Sequence, residues 1–327
     1  MDEIINAKTR KIPAEEIARR RGQMSPMLDE PGDQTDKAAD ENAPDREGAG
    51  ESGAQQEAET AEGANGGAQA DRKPAPRMWV KPPLRGFFDG YLEVRDMDRQ
   101  ISEAIDQALA KGDDRTSRSG NILIFGGHGC GKTTIATGLA KAIARERGQG
   151  SVKMARIYAT DLNRKDIAAT IAKISGGVLI IEEAGDLEDG IADQLTTAME
   201  FRTDGLIIIF EDEQRYMHDL LMRHPRMTMK FTSQIYIPPY MTEDLVRFAK
   251  LYADDRDYAI SEEAASSLAG KLDSLAQNQD GPLAITAALE LVDAALIRAN
   301  NFGRKLFSGK KRYEEEGRIV LQEKDMK

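Results

Sequence analysis

The sequence predicts an α/β protein in which a doubly wound parallel sheet is followed by a small helical domain. Between about residues 121 and 237, short continuous apolar runs alternate with segments of helical periodicity. Such runs are typical of parallel strands that are buried on both faces. A glycine-rich motif joins the first run to the helix that follows it. Beyond Pro239 the pattern becomes wholly helical, which predicts the second domain.

The expected elements follow the chain in order. A turn and an amphipathic helix over 97–109 precede the first strand. From there to residue 210, predicted strands alternate with predicted helices. Pro238 and Pro239 stop the last strand. The expected strands are 122–125, 152–158, 178–181, 206–210 and 235–237, and the helices between them are 135–147, 164–174 and 191–201. Helices of the second domain are expected to open at Thr242, at the capping-box serine Ser261 and at Gly281-Pro282.

The chain divides into four regions. Residues 1–78 are expected to be a largely disordered acidic segment, because 28–75 hold almost no large apolar residue that could offset the entropy of ordering. Residues 12–21 could form a short helix there, as a docking peptide or as a solvated start. The remaining boundaries are 79–238 for the sheet domain, 239–302 for the helical lid and 303–327 for a C-terminal tail that begins with a basic cluster.

Composition narrows the class of protein. The 327 residues carry a net charge of −11 and one cysteine, Cys130, which rules out an internal disulfide and a cysteine-based metal site. No apolar run approaches the roughly 20 residues that a bilayer crossing needs, and the first residues lack the apolar core of a signal peptide. We therefore expect a cytoplasmic protein without a membrane partner. The acidic charge weakly disfavours a nucleic-acid partner.

The glycine-rich motif fits the phosphate-binding pattern G-x-x-x-x-G-K-[ST] over 126–133. Its glycines let backbone N–H groups face one point, and the helix N-terminus adds its dipole, so the loop binds a polyphosphate. Lys132 is expected to reach the β- and γ-phosphates of ATP, and Thr133 to offer its hydroxyl to Mg²⁺. Cys130 either fills a variable position or has a redox role. The expected nucleotide-binding residues are Gly127, His128, Gly129, Cys130, Gly131, Lys132, Thr133 and Thr134.

Two carboxylates, Glu182 and Glu183, follow the apolar run 178–181 about 50 residues after the lysine. In phosphate-loop ATPases this place holds an acid that orders the Mg²⁺ shell and often a second acid that activates the attacking water. Glu182 is expected on the metal side and Glu183 as the general base.

The order of these motifs resembles the AAA+ ATPases, and further phrases resemble the branch of stage V sporulation protein K and the red-type rubisco activases. These phrases run over 176–184, 195–200, 217–225 and 257–264. The resemblance implies ATP and Mg²⁺ as cofactors, and self-association or a hetero-oligomer with related ATPase subunits.

The chain also departs from this family. Glu182 stands where the family usually has Asp. Lys230 stands at the position of the family's arginine finger, and because lysine is not equivalent to arginine, Arg226 or Arg223 would have to act as the finger. Ala284 stands where the family has an arginine that senses the γ-phosphate. Phe210 and Glu211 end a strand at the position where many AAA+ proteins have a polar sensor residue. The loop after Asp161-Leu162 is too short for the aromatic pore loop of the threading members.

These departures leave three functional hypotheses. The leading one is a slow, Mg²⁺-dependent AAA+ ATPase that acts as an oligomeric remodelling or assembly factor on an unidentified client. The alternative is a nucleotide-binding structural or adaptor subunit that hydrolyses little ATP and works with an active paralogue. A DNA-associated loader ATPase is the least favoured, because no basic patch interleaved with aromatic residues is present.

Overall fold

A computed structural model of the chain describes residues 79–279, 281–303 and 317–326. The acidic segment 1–78 and the basic cluster after residue 303 therefore lie outside the described residues. No helix in the described part combines the length and apolar character that crossing a membrane requires. The boundaries placed at 78, 238 and 302 remain predictions.

Five parallel strands form the main sheet, in the order β2-β3-β4-β1-β5. Because β1 and β2 are not neighbours, the chain must cross over between them, and helices cover the crossings. The strands are β1 (Asn121–Phe125), β2 (Met154–Tyr158), β3 (Val178–Glu182), β4 (Ile207–Asp212) and β5 (Phe231–Tyr236).

Helices lie on both faces of this sheet and form the second domain. The sheet domain contains α1 (Pro82–Arg85), α2 (Met97–Leu109), α3 (Lys132–Glu146), α4 (Ala159–Leu162), α5 (Ile167–Ile174), α6 (Asp189–Ala198), α7 (Gln214–Arg223) and α8 (Pro225–Thr228). The second domain contains α9 (Thr242–Asp254), α10 (Glu262–Gln277) and α11 (Ile285–Gly303).

Alternate strand residues belong to two separate cores, one on each face of the sheet. Ile124, Ile180 and Ile209 pack in the same core as Ile135 and Leu139 of α3. The opposite core contains the intervening strand residues, with side chains from α5, α6 and α7; its strand members include Leu123, Phe125, Leu179, Ile181, Ile208 and Phe210. Both faces are thus covered, and the predicted doubly wound parallel sheet is confirmed.

Sequence patterns missed several features of the sheet domain. Strand β5 begins at Phe231, four residues before the expected start, and its burial alternates residue by residue because it is an edge strand. Helices α7 and α8 had not been expected. In α7 only Met217 and Leu220 are buried, and the apolar residues Tyr216, Leu221 and Met222 beside them obscure the helical period.

The expectation of a wholly helical second domain is wrong. Strand β6 (Tyr258–Ile260) pairs in parallel with β7 (Ile319–Leu321), and Leu321 is fully buried. Farther on, Arg298 of α11 donates a hydrogen bond of 3.0 Å to the Asp325 carbonyl. Residues 319–326 therefore pack against the helical domain. Strands of three residues are too short to show a period, and their partners lie about 60 residues apart.

Candidate functional site

The carboxyl ends of the parallel strands meet at one edge of the main sheet, and polar residues are concentrated there. Four residues on neighbouring strands form one row in register: Ile124 opposite Glu211, Glu211 opposite Glu182, and Glu182 opposite Tyr158. Residues in register share a face of the sheet. Since Ile124 packs against α3, both glutamates lie on the face that carries the phosphate-loop helix.

The phosphate loop connects β1 to α3 at this edge, and its shape depends on glycine. Gly129 and Gly131 have positive φ values of 70° and 91°. At Gly131 a Cβ would lie 2.1 Å from the hydroxyl oxygen of Tyr91, so no larger residue fits. Gly127, His128 and Thr134 are exposed. The loop therefore presents its polar surface outward from the edge of the sheet.

Lys132 and Thr133 begin α3 and have different partners. The Lys132 ammonium donates hydrogen bonds to the carbonyls of Gly126 and Gly127, at 2.9 and 2.8 Å. The Thr133 hydroxyl donates a hydrogen bond of 2.5 Å to Oε1 of Glu211. Both side chains predicted for the nucleotide site are thus held at the sheet edge, Lys132 by the loop itself.

Cys130 is buried beneath the loop, and burial raises the pKa of its thiol. A raised pKa reduces the thiolate fraction, so the environment opposes the redox role considered for this residue. The Cys130 carbonyl accepts a hydrogen bond of 2.6 Å from the hydroxyl of Tyr240.

The predicted acids of β3 have different surroundings. Glu182 is half-buried; its Oε1 lies 3.2 Å from Nε of Arg156, and Tyr158 is a second hydrogen-bond partner. Burial raises the pKa of Glu182, against the effect of Arg156. Glu183 is exposed and has a left-handed backbone, with φ of 52°. A positive φ is uncommon for a residue other than glycine and here turns the chain sharply after β3.

Two acids at the end of β4 were not predicted as site residues. Glu211 is only 3% exposed, and burial raises its pKa to about 7. Asp212 accepts hydrogen bonds from the backbone N–H groups of Gly185 and Glu213, so it fixes the turns after β3 and β4. A sequence signal existed, since Glu211-Asp212 follow an apolar run just as Glu182-Glu183 do.

The lid contacts the phosphate loop at the start of α11. A Cβ at Gly129 would lie 2.8 Å from Oγ1 of Thr286 and 3.1 Å from Cβ of Ala284. Ala284, at the position where the resemblance predicts a sensing arginine, therefore lies next to the loop. Its side chain is only a methyl group.

The residues predicted at the arginine-finger place do not join the phosphate loop of their own chain. Lys230 precedes β5, so it lies at the amino edge of the sheet, opposite to the loop. Its ammonium is buried in an ion pair with Glu200. Arg226 is exposed on α8, and with Arg223 it lines a cleft of about 380 Å³ beside His224.

Comparison with known proteins agrees with this geometry. Residues 122–235 match the family described as "ATPase family associated with various cellular activities (AAA)". The chain is 30% identical over 191 residues to the ESX-1 secretion system protein EccA1 of Mycobacterium leprae, covering 51% of this chain and 32% of that protein. It is 27% identical over 192 residues to stage V sporulation protein K of Bacillus subtilis, covering 52% and 60%. The chloroplastic ribulose bisphosphate carboxylase/oxygenase activase of Cyanidioschyzon merolae is 26% identical over 194 residues, covering 54% and 63%.

Two solved structures show the same fold at low identity. The Thermotoga maritima RuvB Holliday junction branch migration motor has a TM-score of 0.50 at 16% identity, covering 70% of this chain and 65% of that one. Domain III of the replication initiation protein DnaA from the same organism has a TM-score of 0.51 at 14% identity, covering 69% and 93%. The chain spans between one third and two thirds of the length of these curated relatives. Residues 122–235 therefore form an AAA domain, and about half of the chain is similar to stage V sporulation protein K and to rubisco activase.

Proposed function

We propose that this protein binds ATP with Mg²⁺ at the carboxyl edge of its main sheet and hydrolyses it slowly, as an oligomeric remodelling or assembly factor. The observation that carries the proposal is the convergence of Lys132, Thr133 and the acids that end β3 and β4 at this one edge. Ligands of open α/β sheets bind at this kind of edge.

The donor set fits Mg²⁺ together with a nucleotide. Within the described residues no group of three or more His, Cys, Asp or Glu side chains could hold a metal by itself. Magnesium in nucleotide sites uses one or two carboxylates, substrate phosphates and water, so such a cage is not needed. In addition, Oε2 of Glu211 is buried without a hydrogen-bond partner among the described residues, although a buried carboxylate oxygen requires one.

The chain's own residues would act as follows. The Lys132 ammonium, which donates hydrogen bonds to two loop carbonyls, would donate them to phosphate oxygens instead when a nucleotide binds. The Thr133 hydroxyl donates a hydrogen bond to Glu211, which leaves the lone pairs of the hydroxyl oxygen for the metal. Glu183, exposed at the turn after β3, would accept a proton from the attacking water. When bound, Mg²⁺ neutralises charge on the phosphate oxygens.

Slow turnover and oligomerisation are proposed on the same grounds. The lid residues beside the loop at Gly129, Ala284 and Thr286, contribute no positive charge, and the Lys230 ammonium is paired with Glu200. The exposed Arg226 is the better candidate to complete the site of a neighbouring subunit. A cation supplied in trans raises turnover by several orders of magnitude in related phosphoryl transfers. If no subunit supplies one, the alternative of an ATP-binding adaptor subunit applies.

Steady-state ATP hydrolysis over a series of protein concentrations tests the proposal, with Lys132→Ala and Glu183→Gln measured in parallel. The expected result is a specific rate that rises with concentration and is lost in both variants, while Glu183→Gln still binds ATP. ATP binding without turnover at any concentration would favour the adaptor alternative. Absence of ATP binding would contradict both.

A further inference from the structure

Glu182 and Glu211 are both candidates for the carboxylate on the metal side of the nucleotide site. They lie opposite each other in register on β3 and β4. The period of a strand puts Glu182 and Glu211 on the same face of the sheet, so sequence pattern cannot separate them. Strand order separates them. The phosphate loop follows strand β1. Strand β4 is the immediate neighbour of β1, whereas β3 is one strand farther away. Glu211 is therefore about 4.8 Å closer to the loop strand than Glu182 is.

The contacts agree with this order. Oε1 of Glu211 accepts the hydrogen bond from the Thr133 hydroxyl, at 2.5 Å. Glu182 instead has Arg156 and Tyr158 of β2 as partners, on the side away from β1. The charge of Glu182 is thus already compensated by a guanidinium.

Glu211 has an unmet requirement that Glu182 does not have. It is 3% exposed, and its Oε2 has no hydrogen-bond partner within the described residues. A buried carboxylate in this condition needs a cation or a bound water, and truly unsatisfied groups of this kind are rare in proteins.

We propose that Glu211, rather than Glu182, is the metal-side carboxylate of the nucleotide site: its Oε1 orients the Thr133 hydroxyl, and its Oε2 faces the cation or a water molecule bound to it. Glu182 then serves to hold Arg156 and Tyr158 at the edge of the sheet. This inference rests on the proposed function, because the cation is the one that accompanies the nucleotide.

The test measures binding of a fluorescent ADP analogue to the full chain, once with Mg²⁺ and once with EDTA. The ratio of the two dissociation constants gives the enhancement by Mg²⁺ and does not depend on hydrolysis. The variants are Glu211→Gln, Glu211→Asp and Glu182→Gln, with Glu188→Gln as a control at an exposed carboxylate before α6. Binding of Mn²⁺, followed by its paramagnetic resonance signal, gives a second measurement.

We expect Glu211→Gln to lower the Mg²⁺ enhancement about tenfold or more, as is usual for acids that orient metal ligands, and to weaken Mn²⁺ binding in parallel. Binding in EDTA should change little. Glu211→Asp, which keeps the charge, should retain more of the enhancement, and Glu182→Gln should lower it less than Glu211→Gln does. Equal or greater loss in Glu182→Gln, or full enhancement in Glu211→Gln, would overturn the inference alone. A wild-type chain that binds no nucleotide would overturn the proposed function with it.

Discussion

The hydroxyl of Tyr240, at the entrance to the lid, donates a 2.6 Å hydrogen bond to the carbonyl of Cys130 in the phosphate loop. The rings of Tyr240 and Tyr91 both pack on Phe248 of α9, with centroid distances of 5.3 and 4.9 Å. Tyr91 also fills the space beside Gly131. The loop that is proposed to bind phosphate is thus tied directly to the first helix of the lid.

Replacing Tyr240 by Phe should loosen this connection while keeping the ring. The Cys130 carbonyl would lose its buried partner, so we expect the free energy of unfolding to fall by about 1–2 kcal/mol. Binding of the fluorescent ADP analogue should weaken, because the loop is less well held. Tyr252→Phe is the matched control, since its hydroxyl contacts Asp293 at the surface. An equal effect of both variants on ADP binding would argue against a link through Tyr240.

Glu211 should make the stability of the nucleotide-free protein depend on pH. Burial raises its pKa from 4.5 to about 7, so the folded chain binds this proton more tightly than the unfolded chain does. The stabilisation is complete below the unfolded pKa and is lost as the pH rises through the folded pKa.

The Glu211→Gln variant cannot lose this proton. We measure the free energy of unfolding of the variant and of the wild type in EDTA. The value for the variant minus that for the wild type should therefore increase by up to about 3 kcal/mol between pH 5 and pH 8. Taking the difference from the wild type cancels the effect of Asp212, whose pKa is also raised by burial, and reduces that of Glu182, whose charge interacts with that of Glu211. A difference that stays constant with pH would show that Glu211 is ionised in both states.

Asn121 should be essential to the amino edge of the sheet. Its amide donates hydrogen bonds of 2.8 Å to the carbonyls of Ser117 and Lys230, and its Oδ1 accepts one of 2.9 Å from the Ile208 N–H. These bonds join β1 to β4 and β5 in a fully buried position. Asn121→Ala leaves three buried groups unpaired, so we expect a loss of at least about 3 kcal/mol in urea unfolding.

Asn163→Ala provides the comparison for Asn121. Asn163 also bonds to two backbone groups, a carbonyl and an N–H, but at an exposed position where water replaces it. Its loss should cost about 1 kcal/mol. If the two variants proved equally stable, the burial of Asn121 would not be what makes its hydrogen bonds important.

Lys230 and Arg226 should differ in what their replacement affects. Lys230→Met removes a buried ammonium from its ion pair with Glu200, so we expect a lower melting temperature. Arg226→Ala removes an exposed side chain and should leave the melting temperature unchanged. If Arg226 acts on a neighbouring subunit, its loss should selectively reduce the part of ATP hydrolysis that rises with protein concentration. The converse pattern, with full stability and lost hydrolysis in Lys230→Met, would favour Lys230 as the finger.

The sequence by itself determined the fold class and the location of the phosphate-loop motif, at which we propose the nucleotide site. Continuous apolar runs such as 178–181 show that a strand is buried on both faces, and the spacing from Gly126 to Lys132 is a local property of the chain. Local patterns of this kind do not depend on which elements become neighbours.

Only the tertiary structure decided which acid faces Thr133, because strand order sets the distance of β3 and β4 from β1 and leaves no trace in either strand's own pattern. The same holds for the pairing of β6 with β7 and for the burial of Lys230 against Glu200. Each of these features depends on contacts between residues far apart in the chain. Periodicity and motif spacing describe neighbours in sequence, so they could not reveal them.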